Sequence, residues 1–177
     1  VNLPIPLVKL ALDMGVKMPQ GSGSEALKGI DFAQLLEMIE KGLIGKLVEA
    51  GYFGEIYYAE SEYIEDIRSW LTLPNAKRSW RQYWQVGKRG AFYPTHSIGP
   101  VMQWFRGDRI DEVSCFGVGP YVAPEFRQED SNTVMIRLKS GKLIRVRIDG
   151  MAPRPNQNSY FSLQGTKGAV ESPRGPS

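Results

Sequence analysis

Thr133–Asp149 reads TVMIRLKSGKLIRVRID. Val134, Ile136 and Leu138 recur at a period of two, and so do Ile144, Val146 and Ile148 beyond Ser140-Gly141. Two such runs about a Gly-containing turn predict a β-hairpin, Thr133–Leu138 with Lys142–Asp149. The apolar set faces a core, and Arg137, Lys139, Arg145 and Arg147 lie on the opposite face. A basic sheet face with interleaved aromatics could suit RNA. Glu60 and Glu62 on an earlier strand offer cross-strand partners instead, so no nucleic-acid partner is expected.

That earlier strand is Glu55–Glu65. Ile56, Tyr58, Glu60, Glu62 and Ile64 face one way, and Tyr57, Ala59, Ser61, Tyr63 and Glu65 the other. Val113–Val118 reads as a further strand, with Cys115 as a small core residue within it. Pro120–Asp130 is an irregular loop. Tyr160–Leu163 and Ala169–Glu171 read as two short strands turning at Gly165–Gly168, and Pro173–Ser177 as loop. Ile67–Arg89 is a polar, aromatic connection that carries Trp70, Trp80 and Trp84. These indoles could line a sugar site by stacking, or pin a long loop to the core.

Before the strands, Leu7–Met14 reads as a helix bounded by Pro4, Pro6 and Gly15. Gly21-Ser22-Gly23-Ser24 has the composition of a flexible linker. Phe32, Leu35, Leu36, Ile39 and Leu43 form an apolar stripe, which predicts a helix over Asp31–Leu43. Met38–Lys46, MIEKGLIGK, is then followed by a near copy, Leu47–Glu55, LVEAGYFGE. A nine-residue tandem is too short for a solenoid repeat. With the Gly-Ser run it reads as a local duplication or a splice, hence a cut or engineered chain. Residues 1–24 are read as an N-terminal helix and linker, and 25–177 as one sheet domain.

The chain has 177 residues, 42% hydrophobic and 23% charged, which suits a globular protein with a real core. A net charge of +3 does not by itself imply a nucleic-acid or membrane partner. A lone cysteine excludes an internal disulfide and a cysteine-based metal site. No run approaches the ~18 apolar residues of a membrane span, and no signal peptide is legible, so a cytoplasmic setting is expected.

Gly90–Phe105, GAFYPTHSIGPVMQWF, holds the only histidine, His96. Tyr-Pro-Thr-His stands at a predicted helix entrance, near the positive end of the helix. Histidine exchanges protons near neutral pH, whereas a tyrosine hydroxyl needs an electropositive neighbour to act as a base. Tyr93 and His96 are therefore the centre of any chemical site. The alternative is a half-buried histidine bonded to backbone beside a packed tyrosine.

Gly90–Gly117 resembles the C-terminal domain of the Gfo/Idh/MocA oxidoreductases. Tyr-Pro-Thr-His with Gly99-Pro100-Val101 is similar to the NAD-dependent glycoside hydrolase branch of the alpha-N-acetylgalactosaminidase type. Gly54–Asp66 resembles that domain's first strand; Thr133–Gly150 and Gln164–Pro173 resemble later ones. The resemblance runs from about Leu47 to the C-terminus. It implies an α+β fold, a mostly antiparallel open-faced sheet with helices packed on one face and no complete Rossmann domain. The family fold continues past residue 177 with another helix and strand, so the C-terminus reads as truncated.

The resemblance also implies a substrate-binding and oligomerisation domain of a sugar-acting NAD(P)-dependent oxidoreductase or glycosidase, inactive alone. In the glycosidase branch the sugar is oxidised at C3 by NAD, loses its C1 substituent, gains water and is re-reduced. Tyr93 and His96 match the acid–base and orienting pair. Tyr63 matches the tyrosine of a Tyr-x-His element whose histidine is Glu65 here. A carboxylate cannot donate a hydrogen bond when ionised, so the departure changes the chemistry. Glu65, Thr95 and Trp84 are the expected substrate-binding residues. The dehydrogenase branches carry aspartate four residues before the histidine, where Phe92 stands here. They also carry a Glu-Lys-Pro lysine, and Lys17, not adjacent to Pro19, does not take that role. No GxGxxG follows a strand, so no cofactor is expected on this chain alone. A homodimer, sheet face against sheet face, and a sugar or glycoside ligand are the expected partners. The competing class is a non-catalytic scaffold or self-association domain.

Overall fold

The computed structural model describes Gly42 and residues 44–172. The expected helices at Leu7–Met14 and Asp31–Leu43, the Gly-Ser linker and the Pro173–Ser177 loop lie outside these residues, Gly42 apart. The chain divides into two compact units, Val1–Lys46 and Leu47–Ser177. The division falls between the two copies of the nine-residue repeat.

The second unit is built on one sheet of six strands. In chain order these are β1 (Ile56–Ile64), β2 (Ile110–Val118), β3 (Ser131–Leu138), β4 (Leu143–Asp149), β5 (Gln157–Gly165) and β6 (Ala169–Glu171). Their spatial order is β2-β3-β4-β1-β5-β6. All neighbours pair antiparallel except β1 with β4. Between β1 and β2 lie two short helices, α1 (Arg81–Trp84) and α2 (Thr95–Met102). The architecture is thus α+β, with an open and mostly antiparallel sheet. The hairpin stands where its alternation put it, and β5 is longer than its apolar core suggests.

Register sorts the side chains. Ser61 of β1 stands beside Val146 of β4, which stands beside Val134 of β3. Tyr63 stands beside Ile148, and Ala59 beside Ile144 on one side and Leu163 on the other. Ala59, Ile136, Ile144, Val146, Ile148 and Leu163 are buried. Each fully buried aliphatic side chain is worth about 1.5–3 kcal/mol, so this layer dominates the fold's stability. α2 packs on β1 and β5, and Trp104 just beyond it meets the Phe161 ring edge-on at 6.2 Å. Pro100 sits inside α2; lacking an N–H, it is followed by a 3-10 turn at Gln103–Phe105.

The other face is polar. Arg145 reaches Glu60 at 3.1 Å, Arg147 reaches Asp149 at 2.6 Å and Arg137 reaches Glu112 at 2.8 Å, while Lys139 pairs with Asp111. These four basic side chains are therefore each matched by a carboxylate.

Two expectations are corrected here. Cys115 is exposed, not a core residue, because β2 is the sheet's edge strand and all nine of its residues are exposed. Nor do the three indoles of the long connection pin it to the core, since Trp70, Trp80 and Trp84 are all exposed. What anchors that connection is Ile67, Leu71 and Val86, packed with Ala123 and Met151. Among the described residues no helix is long and apolar enough to cross a membrane.

Candidate functional site

The C-terminal end of β1 brings Tyr63 up to the start of α2. Its ring centroid lies 5.7 Å from that of Tyr93 and 5.7 Å from that of His96, and Tyr93 and His96 are 4.8 Å apart. Tyr63 and His96 stack at 16°, whereas Tyr93 meets both edge-on. Tyr93 and His96, read from sequence as a centre, thus cluster with Tyr63, which the resemblance added. His96 is exposed, and among the described residues no hydrogen bond engages its ring. The packed, backbone-bonded histidine is not what the fold builds.

Tyr93 is held in a left-handed conformation, φ +64°. Such a conformation is uncommon for a bulky residue and is kept only where surroundings over-determine it. The supports are visible. Gly90, at φ +93°, donates its N–H to Glu129 at 2.8 Å, and its carbonyl accepts a hydrogen bond from Gln128 Nε2 at 3.2 Å. Gln128 is buried and Glu129 also reaches Arg89, at 3.6 Å. Ser97 and Ile98 donate to the Pro94 carbonyl and close the first turn of α2. The loop Pro120–Asp130 is therefore irregular in backbone but specific in what it grips.

Glu65, where the resemblance implies histidine, is 3% exposed. Its Oε2 accepts the Tyr63 hydroxyl, and its Oε1 accepts Asn156 Nδ2 and Asn158 Nδ2, both at 3.3 Å. The Tyr63 phenol is pushed well above its ordinary value, first by burial, then by the hydrogen bond to Glu65 and by that carboxylate's charge. Tyr93 adds to the rise and Arg81 opposes it. Tyr63 is a neutral group at any physiological pH, with its one proton given to Glu65.

Thr95, between Tyr93 and His96, is exposed. Trp84 lies on α1, and Lys88 Nζ sits 4.4 Å from its ring centroid. Arg81 was not singled out from sequence. Its guanidinium lies 5.0 Å from the Trp70 ring and 4.6 Å from the Trp80 ring, and it donates to Gln85 Oε1 at 2.7 Å. Its charge acts on Tyr63, which brings this aromatic clamp into the electrostatics of the site. Asn156, Asn158, Gln128 and Glu129 were also missed. Their only sequence signal is polarity in loops, which many solvent-facing residues share.

A nicotinamide nucleotide does not fit the described residues. β1 runs into a 3-10 turn at Arg68–Trp70, and no strand passes through a Gly-rich turn into a helix. The pyrophosphate would lack the backbone N–H cradle it needs. Among the described residues there is also no cluster of His, Cys, Asp and Glu suited to a metal ion.

Residues 31–174 match the family described as glycosyl hydrolase 109, C-terminal domain, and residues 1–51 match YvlB-like protein, C-terminal domain. The two matches overlap over the first copy of the nine-residue repeat and the start of the second. A glycosyl hydrolase family 109 protein of Shewanella pealeana is 34% identical over 146 residues, 71% of this chain and 32% of the relative. An alpha-N-acetylgalactosaminidase of Shewanella oneidensis is 33% identical over 149 residues, 73% of this chain and 32% of the relative. The chain spans about a third of the length of the curated relatives it matches. Two solved structures share its fold. Myo-inositol 2-dehydrogenase of Lactobacillus plantarum has a TM-score of 0.60 at 17% identity, over 77% of this chain and 39% of that one. Scyllo-inositol dehydrogenase of Lactobacillus casei, solved with NAD(H) and scyllo-inositol, has 0.56 at 17%, over 76% and 38%.

Proposed function

The chain belongs to the glycosyl hydrolase 109 C-terminal domain family, and from that membership we propose that it is the substrate-binding and oligomerisation domain of a sugar-acting NAD(P)-dependent oxidoreductase or glycosidase, inactive alone. The observation that carries this reading is the Tyr63–Tyr93–His96 ring cluster, with an exposed imidazole and a strained tyrosine at its mouth. His96 and Tyr93 exchange protons with, and orient, a ligand's hydroxyls, and the ring faces suit a sugar's C–H surface. Thr95 and Trp84 belong to the same binding surface; Glu65, expected there from sequence, is buried and can act on a ligand only through Tyr63. A nucleotide cofactor would be held outside the described residues. A cytoplasmic setting is part of this reading.

N-acetylgalactosamine, the sugar in one relative's name, is the probe. Titrated at millimolar concentration into the labelled chain, it is expected to shift the His96 and Tyr93 ring signals. His96→Ala should abolish those shifts while leaving the thermal midpoint within about 1 °C, since an exposed side chain contributes little to stability. Unchanged spectra in the wild-type chain would sink the reading.

The polar sheet face is the proposed homodimer surface. It is too polar for a core, yet suits a wet interface of paired charges and aromatics. Phe116 stands on this face, beside Thr133, and is 74% exposed. Light scattering at about 50 μM, well above the dissociation constant of a useful dimer, should give twice the chain mass, and Phe116→Glu should give the monomer. A dimer unmoved by Phe116→Glu places the contact elsewhere.

A further inference from the structure

We propose that Asn156 and Asn158 are positioning residues of the candidate site: they fix the Glu65 carboxylate as the acceptor of the Tyr63 hydroxyl, so that Tyr63 meets a ligand only as a hydrogen-bond acceptor. The proposal deepens the sugar-site reading and rests on it for the identity of the ligand, but not for the geometry.

The amide orientations are chemically determined. Asn156 Oδ1 accepts the Asp66 backbone N–H at 3.4 Å, which obliges its Nδ2 to be the atom facing Glu65. A carboxylate accepts only, so Asn158 must also present its nitrogen. The backbone delivers both residues to that place. Asp66 bridges Met151, Ala152 donates to the Glu65 carbonyl at 3.4 Å, and Ile64 stands beside Gln157 where the β1–β5 register shifts. A bulge of this kind re-aims side chains beside sites. Residues 150–158 thus wrap the end of β1 and lay two amides on one buried oxygen.

The physics makes the arrangement purposeful. Burying an ionised carboxylate is costly unless it is hydrogen-bonded, and Glu65 has three donors from three residues. Two neutral amides satisfy its charge without neutralising it, so the full negative charge stays on the Tyr63 proton. The charged or titratable groups facing Tyr63 are Glu65 just past the end of its strand, Tyr93 and His96 from the α2 side, and Arg81 from α1. A hydroxyl has one proton, and here it is taken. What remains for a ligand is an oxygen lone pair polarised by Glu65, which favours a sugar or polyol that offers a free O–H at that point.

The test uses the full chain with tyrosines carbon-13 labelled at Cζ, the Tyr63 signal being identified by its loss in Tyr63→Phe. In the wild-type chain that signal should remain unionised well above the ordinary tyrosine value. Glu65→Gln should raise the Tyr63 acid dissociation constant at least about tenfold, and Asn156→Ala with Asn158→Ala about threefold or more, because the released carboxylate swings to water. A Tyr63 titration unchanged in Glu65→Gln, or unchanged in the double asparagine variant, overturns the proposal. If a variant does not fold, the wild-type chain decides by itself. The two side-chain amides should exchange with solvent more slowly than free asparagine, and exchange at the free rate overturns the proposal. No sugar enters this test, so its failure and that of the sugar reading are separate results.

Discussion

Val146→Asp should leave the chain without a cooperative unfolding transition near neutral pH. Val146 is 0% exposed on β4, between Val134 of β3 and Ser61 of β1. Arg145 and Arg147, its chain neighbours, point to the opposite face and are engaged by Glu60 and Asp149. An aspartate there finds no cation, and burying an uncompensated charge costs several kcal/mol. The lost valine burial adds about 2 kcal/mol. A domain is stable by about 5–15 kcal/mol in total, so the sum removes most of the margin or all of it. The adjacent position gives the contrast. Arg145→Ala loses one partly exposed pair, leaves the Tyr58 hydroxyl on Glu60, and should cost about 1 kcal/mol. Urea unfolding followed by far-UV circular dichroism measures both. A cooperative Val146→Asp transition at the wild-type midpoint would contradict the register of β4.

That register was legible because alternation carries it. Val134, Ile136, Ile144, Val146 and Ile148 are spaced at two, and a one-residue slip would send each of them to the charged face. What alternation does not encode is a strand's neighbours. Nothing local in Glu55–Glu65 says that β1 lies parallel to β4, and nothing in Val113–Val118 says that β2 is an edge. Cys115 was misread for that reason, since a small apolar residue in a strand is buried only if the face it points to is covered. The candidate site divides the same way. Tyr93 and His96 are three residues apart at a helix start, so their proximity needed no tertiary information. Tyr63 required the strand's alternation and a resemblance. Asn156 and Asn158 reach Glu65 across 91 and 93 residues of chain, and no local pattern marks them. Arg81 was hidden among aromatics that looked more informative than it did.

Arg147→Met should cost about 3–5 kcal/mol, whereas Arg137→Met on the neighbouring strand should cost less than about 1 kcal/mol. The two pairs have almost the same length, Arg147–Asp149 at 2.6 Å and Arg137–Glu112 at 2.8 Å, so distance does not separate them. Burial does. The Glu112 side chain is 60% exposed, and water takes over when its arginine leaves. Asp149 is 2% exposed; its Oδ2 is held by Arg147, and its Oδ1 has no hydrogen-bond partner among the described residues. Removing the guanidinium strands a carboxylate that water cannot reach. The penalty belongs to the orphaned charge rather than to the bond, so removing the charge as well should recover it. Arg147→Met with Asp149→Leu should therefore regain at least half of the single variant's loss, a non-additivity that separate sites do not show. The same logic bars charge reversal at Arg147 as a probe of the dimer face, because a glutamate beside Glu62 and Asp149 would unfold the sheet before it parted two chains. Equal losses in Arg147→Met and Arg137→Met, measured by chemical denaturation at pH 7, would show that the buried carboxylate is solvated after all.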